Sequence, residues 1–174
     1  EEGNYLPPNE IGRLGVSGPS VMTKYWLSKD LNQQWYTGQY FLTGDMAYKD
    51  EQGRFYQVDR VSDVVKTLQG NFYSILAEEI ILRNFSSIKD CSLFGVSSLN
   101  HQFQEACLLI DSNFHSNDEN LLASINKLMI EHNLPKVRYI KYAKPEDIPI
   151  GITGKVLKRE LRDRLQQKNG LLTI

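Results

Sequence analysis

The sequence predicts an α+β protein, because strand and turn patterns fill its first 60 residues while helix and strand patterns alternate in the rest. Hydrophobic residues make up 41% of the 174 positions and charged residues 24%, a balance typical of an ordinary soluble globular protein. No apolar run approaches the length of a membrane span. We therefore expect one good core or two small ones, and no membrane span.

The first region contains breakers, a short strand and a hairpin. Pro and Gly interrupt "LPPNEIG", "RLGVSGPSV" indicates a strand that ends at a turn, and "KDEQGRFYQV" indicates a hairpin with an aromatic second strand. No convincing helix pattern precedes "SVMTKYW". This part of the chain should therefore be rich in β-structure.

The second region begins with a helix predicted at about 75–84, followed by strands at "DCSLFGV" and "FQEACLLI". The strongest helix pattern covers about 117–132, where Ser116 and Glu119 fit a capping box. Its apolar residues form one stripe, most simply a core face: Leu121, Leu122, Ile125, Leu128 and Met129.

A strand, "VRYIKYA", and a last helix at about 155–167 complete the prediction. Leu157, Leu161 and Leu165 supply the apolar spacing of that helix. Its basic residues alternate with acidic ones, as on a solvated face: Lys158, Arg159, Arg162 and Arg164.

Charge and cysteine content exclude several classes of protein. The 20 basic and 21 acidic residues leave a formal charge of −1, which provides no electrostatic footprint for a nucleic-acid or membrane-surface binder. Cys91 and Cys107 lie in apolar stretches, so buried reduced thiols are favoured over a disulfide, and a reducing compartment such as the cytoplasm is expected. The three histidines (His101, His115 and His132) lie near no ligand cluster, so we predict no structural metal.

The start of the chain and the segment "IPIGITGKVLKREL" raise separate questions. The chain opens with "EEGNYLPPNEIG", without an initiator methionine or a signal-peptide pattern, and we interpret it as the C-terminal piece of a longer protein. Gly151, Gly154 and Lys155 do not have the spacing of a nucleoside-triphosphatase phosphate loop, and Val156 replaces its hydroxyl residue. Taken alone, Lys155 would be a solvated lysine at the start of a helix.

Three segments taken together resemble late motifs of the adenylate-forming superfamily, in the same order. They are "GRLGVSGPSVMTKYW" (12–26), "YFLTGDMAYKDEQGRFYQVDRVSDVVK" (40–66) and "PIGITGKVLKREL" (149–161). The superfamily includes acyl- and aryl-CoA synthetases, firefly luciferase and the adenylation domains of nonribosomal peptide synthetases. The resemblance implies that 1–61 is the β-rich tail of a large N-terminal domain. It also implies that 62–174 is a small, mobile C-terminal lid domain with a short sheet and flanking helices.

The same resemblance implies an ATP-dependent ligase that converts a small-molecule carboxylic acid to an acyl-AMP and passes the acyl group to a thiol. The cofactors would be ATP, Mg²⁺ that arrives with it, and CoA. "SVMTKYW" favours an acyl- or aryl-CoA synthetase. The alternatives are an adenylation domain that loads a carrier-protein phosphopantetheine, with the carrier protein as partner, or a degenerate homologue that binds only a nucleotide or a partner protein. The fragment alone should be inactive.

The resemblance also assigns roles to individual residues. Lys155 matches the catalytic lysine that lies between the carboxylate and the α-phosphate, where a preorganised cation lowers the barrier. Asp45 matches the carboxylate that accepts the ribose hydroxyls, although "TGD" is also good turn chemistry. Arg60 matches the arginine at the ribose and phosphate edge, unless it pairs with Asp59 or Asp63.

Three departures from the family pattern lie between these residues. Asp59 replaces the glycine that usually precedes the arginine, so a turn there would lack left-handed freedom. Ser62 stands at the hinge position, where a small polar residue can absorb a rotation. In 66–80, Leu68 and Gln69 replace small residues and the glutamate register is shifted. Two residues of this loop, Lys66 and Gly70, are the predicted thioester-step residues.

Overall fold

The computed structural model describes residues 4–97, 103–111, 120–152 and 154–168. The chain forms two compact units, Glu1–Ser62 and Asp63–Ile174. The described residues contain strands in both units and helices mainly in the second, which confirms the predicted α+β class.

The first unit is built around a four-stranded antiparallel sheet. Its elements are β1 (Gly12–Val16), α1 (Lys29–Trp35), β2 (Tyr36–Thr37), β3 (Tyr40–Lys49) and β4 (Phe55–Arg60). The long strand β3 pairs with β1, β2 and β4, so it is the organising strand of this sheet. The predicted hairpin is confirmed as β3 and β4, with Tyr48 and Tyr56 stacked across it at a centroid distance of 5.0 Å.

Helix α1 is a feature that the sequence pattern did not predict. It has seven residues, and the Ser28 side chain caps it by accepting a hydrogen bond from the Leu31 N–H. None of its residues is buried, so it carries no apolar stripe from which a helix could be predicted. Tertiary hydrogen bonds hold it instead, since the Asn32 side chain bonds both the N–H and the carbonyl of Tyr25.

The second unit contains a hairpin, a three-stranded sheet and three α-helices among the described residues. They are β5 (Val65–Thr67), β6 (Gly70–Phe72), α2 (Ser74–Asn84), β7 (Cys91–Ser97), β8 (Gln104–Asp111), α3 (Leu121–Glu131), β9 (Tyr139–Ala143) and α4 (Lys158–Lys168), with a short 3₁₀ turn at Pro145–Asp147. The sheet order is β7-β8-β9, antiparallel then parallel.

The sheet of the second unit carries a core on each face. Leu93 and Leu108 pack with α2 and α3, whereas Phe94 and Cys107 pack with Leu161 of α4. Because successive strand residues point to opposite faces, the continuous apolar runs of β7 and β8 supply both cores.

The predicted helices are confirmed with changed ends. The helix predicted at about 75–84 is α2, and the one predicted at about 117–132 is α3, whose residues Leu121, Ile125 and Met129 are buried. Helix α3 begins after Asn120, which makes no side-chain cap bond. The predicted capping box, Ser116 with Glu119, lies outside the described residues.

The last helix begins later than the predicted 155. Backbone pairing between Ile150 and Val156 keeps the chain out of helical conformation there, and α4 starts at Lys158. Leu161 is buried as the pattern requires, while Leu157 is exposed. The predicted helix start was therefore wrong by three residues, because the spacing of apolar residues does not reveal a bridge that precedes a helix.

Both cysteines are free and buried, as predicted. They lie on opposite faces of the sheet, Cys91 in the core with α2 and α3 and Cys107 in the core with α4. Burial raises the pKa of both thiols, that of Cys107 to about 12. The compartment that these thiols suggested stays a prediction. Within the described parts of the chain, the helices are all too short or too polar to cross a membrane.

Candidate functional site

Asp45 and Arg60 lie directly opposite each other on strands β3 and β4. The Arg60 Nε lies 3.0 Å from the Asp45 Oδ1, and the Gln57 Nε2 donates to the same oxygen at 2.9 Å. The Asp45 side chain is 19% exposed and that of Arg60 is 56% exposed. The sheet therefore presents a carboxylate that is already oriented by two donors and still reaches solvent.

The local backbone explains how Asp45 is placed. Asp45 lies inside β3, so its alternative assignment as a turn aspartate was wrong. The preceding Gly44 has a φ of 84°, and its carbonyl accepts the Val61 N–H at 2.9 Å. A β-carbon at this glycine would also approach the Trp35 ring to 3.4 Å. Glycine is needed here because an L side chain rarely adopts that φ.

Asp59 has a different environment from the one that its position suggested. The sequence suggested a turn at this residue, yet Asp59 lies within β4 and is fully buried. Its Oδ1 accepts the Arg60 N–H at 2.8 Å. The Arg60 guanidinium pairs with Asp45 on the neighbouring strand.

Lys155 lies at the end of a tight turn in the second unit. The Gly151 N–H donates to the Lys155 carbonyl at 2.8 Å, and the Leu157 N–H donates to the Pro149 carbonyl at 2.8 Å. Gly154 has a φ of 78°, which completes the turn. Lys155 is exposed, and its ammonium makes no ion pair with any carboxylate of the described residues. The turn thus presents an exposed ammonium that has no ion-pair partner in the part of the chain that the structure describes.

Lys158, at the start of α4, is not on a solvated face as the sequence pattern suggested. Its ammonium lies 2.8 Å from Glu78 Oε1 and donates to Ser74 Oγ at 2.6 Å. The side chains of Lys158 and Glu78 are 13% and 16% exposed. The same Glu78 oxygen accepts the Leu93 N–H at 2.6 Å, which connects the cluster to strand β7.

The hairpin of β5 and β6 carries the remaining predicted site residues. Lys66 and Gly70 are both exposed. Gly70 has a φ of 123°, and a β-carbon there would meet no atom within 4 Å. The Thr67 hydroxyl donates to the Gly70 carbonyl at 2.8 Å, which closes the hairpin end.

Two glutamines that the sequence did not identify as supports attach this hairpin to the rest of the second unit. Gln104 Oε1 accepts the Lys66 N–H at 3.2 Å, and Gln69 Oε1 accepts the Lys136 N–H at 2.8 Å. Gln69, which looked like a departure from the family loop, therefore holds the hairpin in place. No signal in the sequence pairs residues this distant.

Gly95 is a further residue near the hairpin that the sequence did not identify. A β-carbon there would lie 2.7 Å from Gln104 Cδ and 2.9 Å from Val65 Cγ1. Strand β5 can thus approach the sheet only because position 95 lacks a side chain.

Ser62 is the last residue of the first unit and lies in an exposed turn. Asp45 and Arg60 belong to that unit, and Lys66, Gly70 and Lys155 belong to the second. Among the described residues, no group of three or more histidine, cysteine or acidic side chains is arranged to hold a metal ion.

No family model matches the chain. The chain is 34% identical over 180 residues to a 3-aminoavenalumate diazotase of a Streptomyces species, covering 94% of the chain and 32% of that protein. It is 26% identical over 168 residues to a long-chain-fatty-acid–CoA ligase of Escherichia coli, covering 97% of the chain and 29% of that protein. The chain therefore spans about a third of the length of these relatives.

Solved structures share the fold. An amide bond synthetase from Marinactinospora thermotolerans matches with a TM-score of 0.75 at 22% identity, over 93% of the chain and 32% of that protein. O-succinylbenzoate coenzyme A synthetase from Bacillus subtilis, in complex with ATP and magnesium ion, matches with 0.74 at 21%, over 94% and 33%. An A-PCP complexed with phenylalanyl-adenylate matches with 0.68 at 22%, over 96% and 30%.

Proposed function

The chain belongs to the adenylate-forming superfamily, and on that basis we propose that it is the C-terminal part of an ATP-dependent ligase that makes an acyl-AMP and transfers the acyl group to CoA. The observation that carries the proposal is the cross-strand pairing of Asp45 with Arg60. The sequence assigns each of these two residues to the nucleotide site through its own motif, and the sheet pairs them. In this assignment the first unit is the end of the large domain and the second unit is the lid.

The Asp45 carboxylate fits the ribose of ATP. Both of its side-chain donors among the described residues bind Oδ1, and the side chain retains access to solvent. A carboxylate with this orientation can accept hydrogen bonds from a vicinal diol. Arg60, which is more exposed, provides donors for the ribose and phosphate edge. Magnesium would be bound through the phosphates of ATP.

Lys155 is the proposed catalytic residue of acid activation. In that step a carboxylate oxygen attacks the α-phosphorus of ATP and pyrophosphate leaves, so two anions must approach each other. An ammonium held in place between them stabilises the charge that develops and needs little reorganisation. The exposed position of Lys155 at a turn with three backbone hydrogen bonds supports this role.

The thiol step is assigned to the β5–β6 hairpin. In that step a thiol sulfur attacks the acyl carbonyl and AMP leaves. We assign Lys66 and Gly70 to this step and Ser62 to the hinge about which the second unit would rotate between the two reactions. The side-chain-free surface at Gly70 supports the assignment, because it leaves room for a narrow thiol-bearing arm.

The thiol acceptor distinguishes the main proposal from its competitors. The fatty-acid–CoA ligase relative favours CoA, and the A-PCP structure makes carrier loading the second candidate. The diazotase is more similar to the chain than the fatty-acid–CoA ligase is, at 34% against 26% identity. Its name indicates an aromatic acid with an amino group as a substrate to include.

The deciding experiment measures pyrophosphate release by the full-length protein with ATP, magnesium and a panel of benzoates, aminated aromatic acids, fatty acids and amino acids. Each acid is tested with and without CoA. Acid-dependent release followed by CoA consumption supports the proposal, whereas release without CoA use indicates carrier loading. Binding of ATP with no release for any acid indicates a degenerate binding protein.

A variant tests the assignment of Lys155 within the same protein. Lys155→Ala should reduce acid-dependent pyrophosphate exchange by about 10²-fold or more, because a preorganised cation is lost. Thioester formation from supplied acyl-AMP should be largely retained. Equal loss of both half-reactions would contradict the assigned role.

A further inference from the structure

We propose that Lys158 is a positioning residue that sets the place of Lys155 through its buried contacts with Glu78 and Ser74. This inference rests on the proposed role of Lys155 in acid activation. Lys158 is the first residue of α4 and follows Lys155 by three positions. Its ammonium lies 2.8 Å from Glu78 and 2.6 Å from Ser74, both on α2.

The contacts form a continuous connection from the sheet to the turn. Glu78 accepts the Leu93 N–H of β7 at 2.6 Å, so its carboxylate is fixed to the core of the second unit. Lys158 binds that carboxylate, and the backbone immediately before it enters the turn through the bond from the Leu157 N–H to Pro149. The buried ammonium of Lys158 therefore links the backbone around Lys155 to the sheet.

The other ion pairs of α4 among the described residues do not link this helix to the sheet. Arg164 pairs with Glu160 at 2.5 Å within the helix, and these side chains are about half exposed, at 51% and 46%. A pair within one helix does not fix the helix to its surroundings, and the contact that Arg164 makes outside the helix, with the Asp147 carbonyl, is exposed and long at 3.5 Å. The Lys158 pair connects two helices and is four-fifths or more buried at both partners.

The energetics of buried ion pairs indicate that the Lys158–Glu78 pair fixes the position of α4 more than it stabilises the fold. Uncharged replacement of such a pair is often neutral or stabilising, since the desolvation cost of both charges disappears. What a buried lysine with two fixed oxygen partners supplies is one defined position for the start of α4. Misplacement by about 1 Å can reduce a catalytic rate about 10²-fold.

The decisive variant is Lys158→Met combined with Glu78→Gln in the full-length protein. It removes both charges with little change of volume, and the glutamine carbonyl oxygen can still accept the Leu93 N–H. We expect the melting temperature to be retained. The kcat for acid-dependent pyrophosphate exchange should fall about 10- to 100-fold, with the KM for ATP and the thioester step largely unchanged.

Three further variants complete the design. Lys158→Arg can still pair with Glu78 and should recover most of the exchange rate. Arg159→Met removes the neighbouring, exposed cation of the same helix and should have no effect. Lys155→Ala, tested in parallel, separates the catalytic role of Lys155 from the positioning role of Lys158. If pyrophosphate exchange survives this substitution, the catalytic assignment of Lys155 is refuted, but the contact of Lys158 with Glu78 is not.

Amide hydrogen exchange gives a readout that does not depend on activity. If Lys158 positions the turn, the Gly151 and Leu157 amides should exchange at least about 10-fold faster in the double variant while core amides of β7 stay protected. Unchanged exchange at these two amides overturns the inference, even in a protein that activates no acid. A fall of both half-reactions in parallel with the melting temperature would also overturn it, since Lys158 would then only stabilise the fold.

Discussion

Gly95→Ala should loosen the β5–β6 hairpin from the sheet, for a reason that the structure makes quantitative. The added methyl carbon would lie 2.7 Å from Gln104 Cδ and 2.9 Å from Val65 Cγ1. Carbon atoms prefer separations of about 3.5–4.0 Å, so both neighbours must move by roughly 0.5–1 Å. Val65 is 1% exposed and cannot yield without moving strand β5.

The expected cost is about 1–3 kcal/mol, the usual range for overpacking a closed site. Part of it comes from Gln104, whose displacement weakens its bond from the Lys66 N–H, an interaction worth about 1 kcal/mol. The assay is native-state hydrogen exchange of the hairpin amides in the full-length protein, where each 1.4 kcal/mol of lost opening free energy corresponds to about a tenfold faster rate.

Gln104→Ala tests the reasoning through a double-mutant cycle. This substitution removes the side chain that the new methyl group would strike, so Gly95→Ala should cost about 1 kcal/mol less in that background than in the wild type. Strictly additive costs, or an unchanged exchange rate in the single Gly95→Ala variant, would refute the explanation that position 95 must lack a side chain.

Three further predictions concern the second unit. Gly70→Ala should destabilise the hairpin by about 1–3 kcal/mol through its φ of 123° alone and slow thioester formation while pyrophosphate exchange continues; a defect in exchange would contradict the loop assignment. Met129→Ala should lower the free energy of unfolding, measured by urea titration, by about 2–5 kcal/mol because the Met129 side chain is fully buried. Ile130 is exposed, and Ile130→Ala should change the same free energy by only about 0.5 kcal/mol. Because burial raises the pKa of the Cys107 thiol from 9.0 to about 12, the unfolded chain loses this proton first, and stability should fall as the pH rises from 9 to 12. Cys107→Ala should make that fall less steep by about 1.4 kcal/mol per pH unit, and an equal slope in both proteins would show that the thiol contributes nothing.

The parts of the fold that could be predicted are those whose signal is local. Strands β7 and β8 followed from continuous apolar runs, and α3 followed from a stripe that is buried at Leu121, Ile125 and Met129. Helix α1 could not be predicted because it buries no residue and depends on hydrogen bonds between Asn32 and Tyr25. The start of α4 was misjudged for a similar reason, since the bridge that precedes it involves only backbone atoms.

The candidate site divides in the same way. Asp45, Arg60 and Lys155 could be proposed from the sequence because their motifs are short and contiguous. Contacts between residues that are distant in the sequence could not be predicted in this way. Lys158 is 80 positions from Glu78, and its place in a run of alternating charges suggested solvent. The general rule is that short motifs identify reactive side chains and that three-dimensional contacts identify what holds them.

The turn that carries Lys155 is defined by main-chain hydrogen bonds and by Gly154, and the side chains of Ile150 and Ile152 project outward. The backbone of Ile150 bridges to Val156, but neither isoleucine side chain is buried. These two positions are therefore natural sites for saturation libraries, in which variants should express and fold like the parent. An engineer could alter the chemical surroundings of the lysine there without rebuilding the support beneath it.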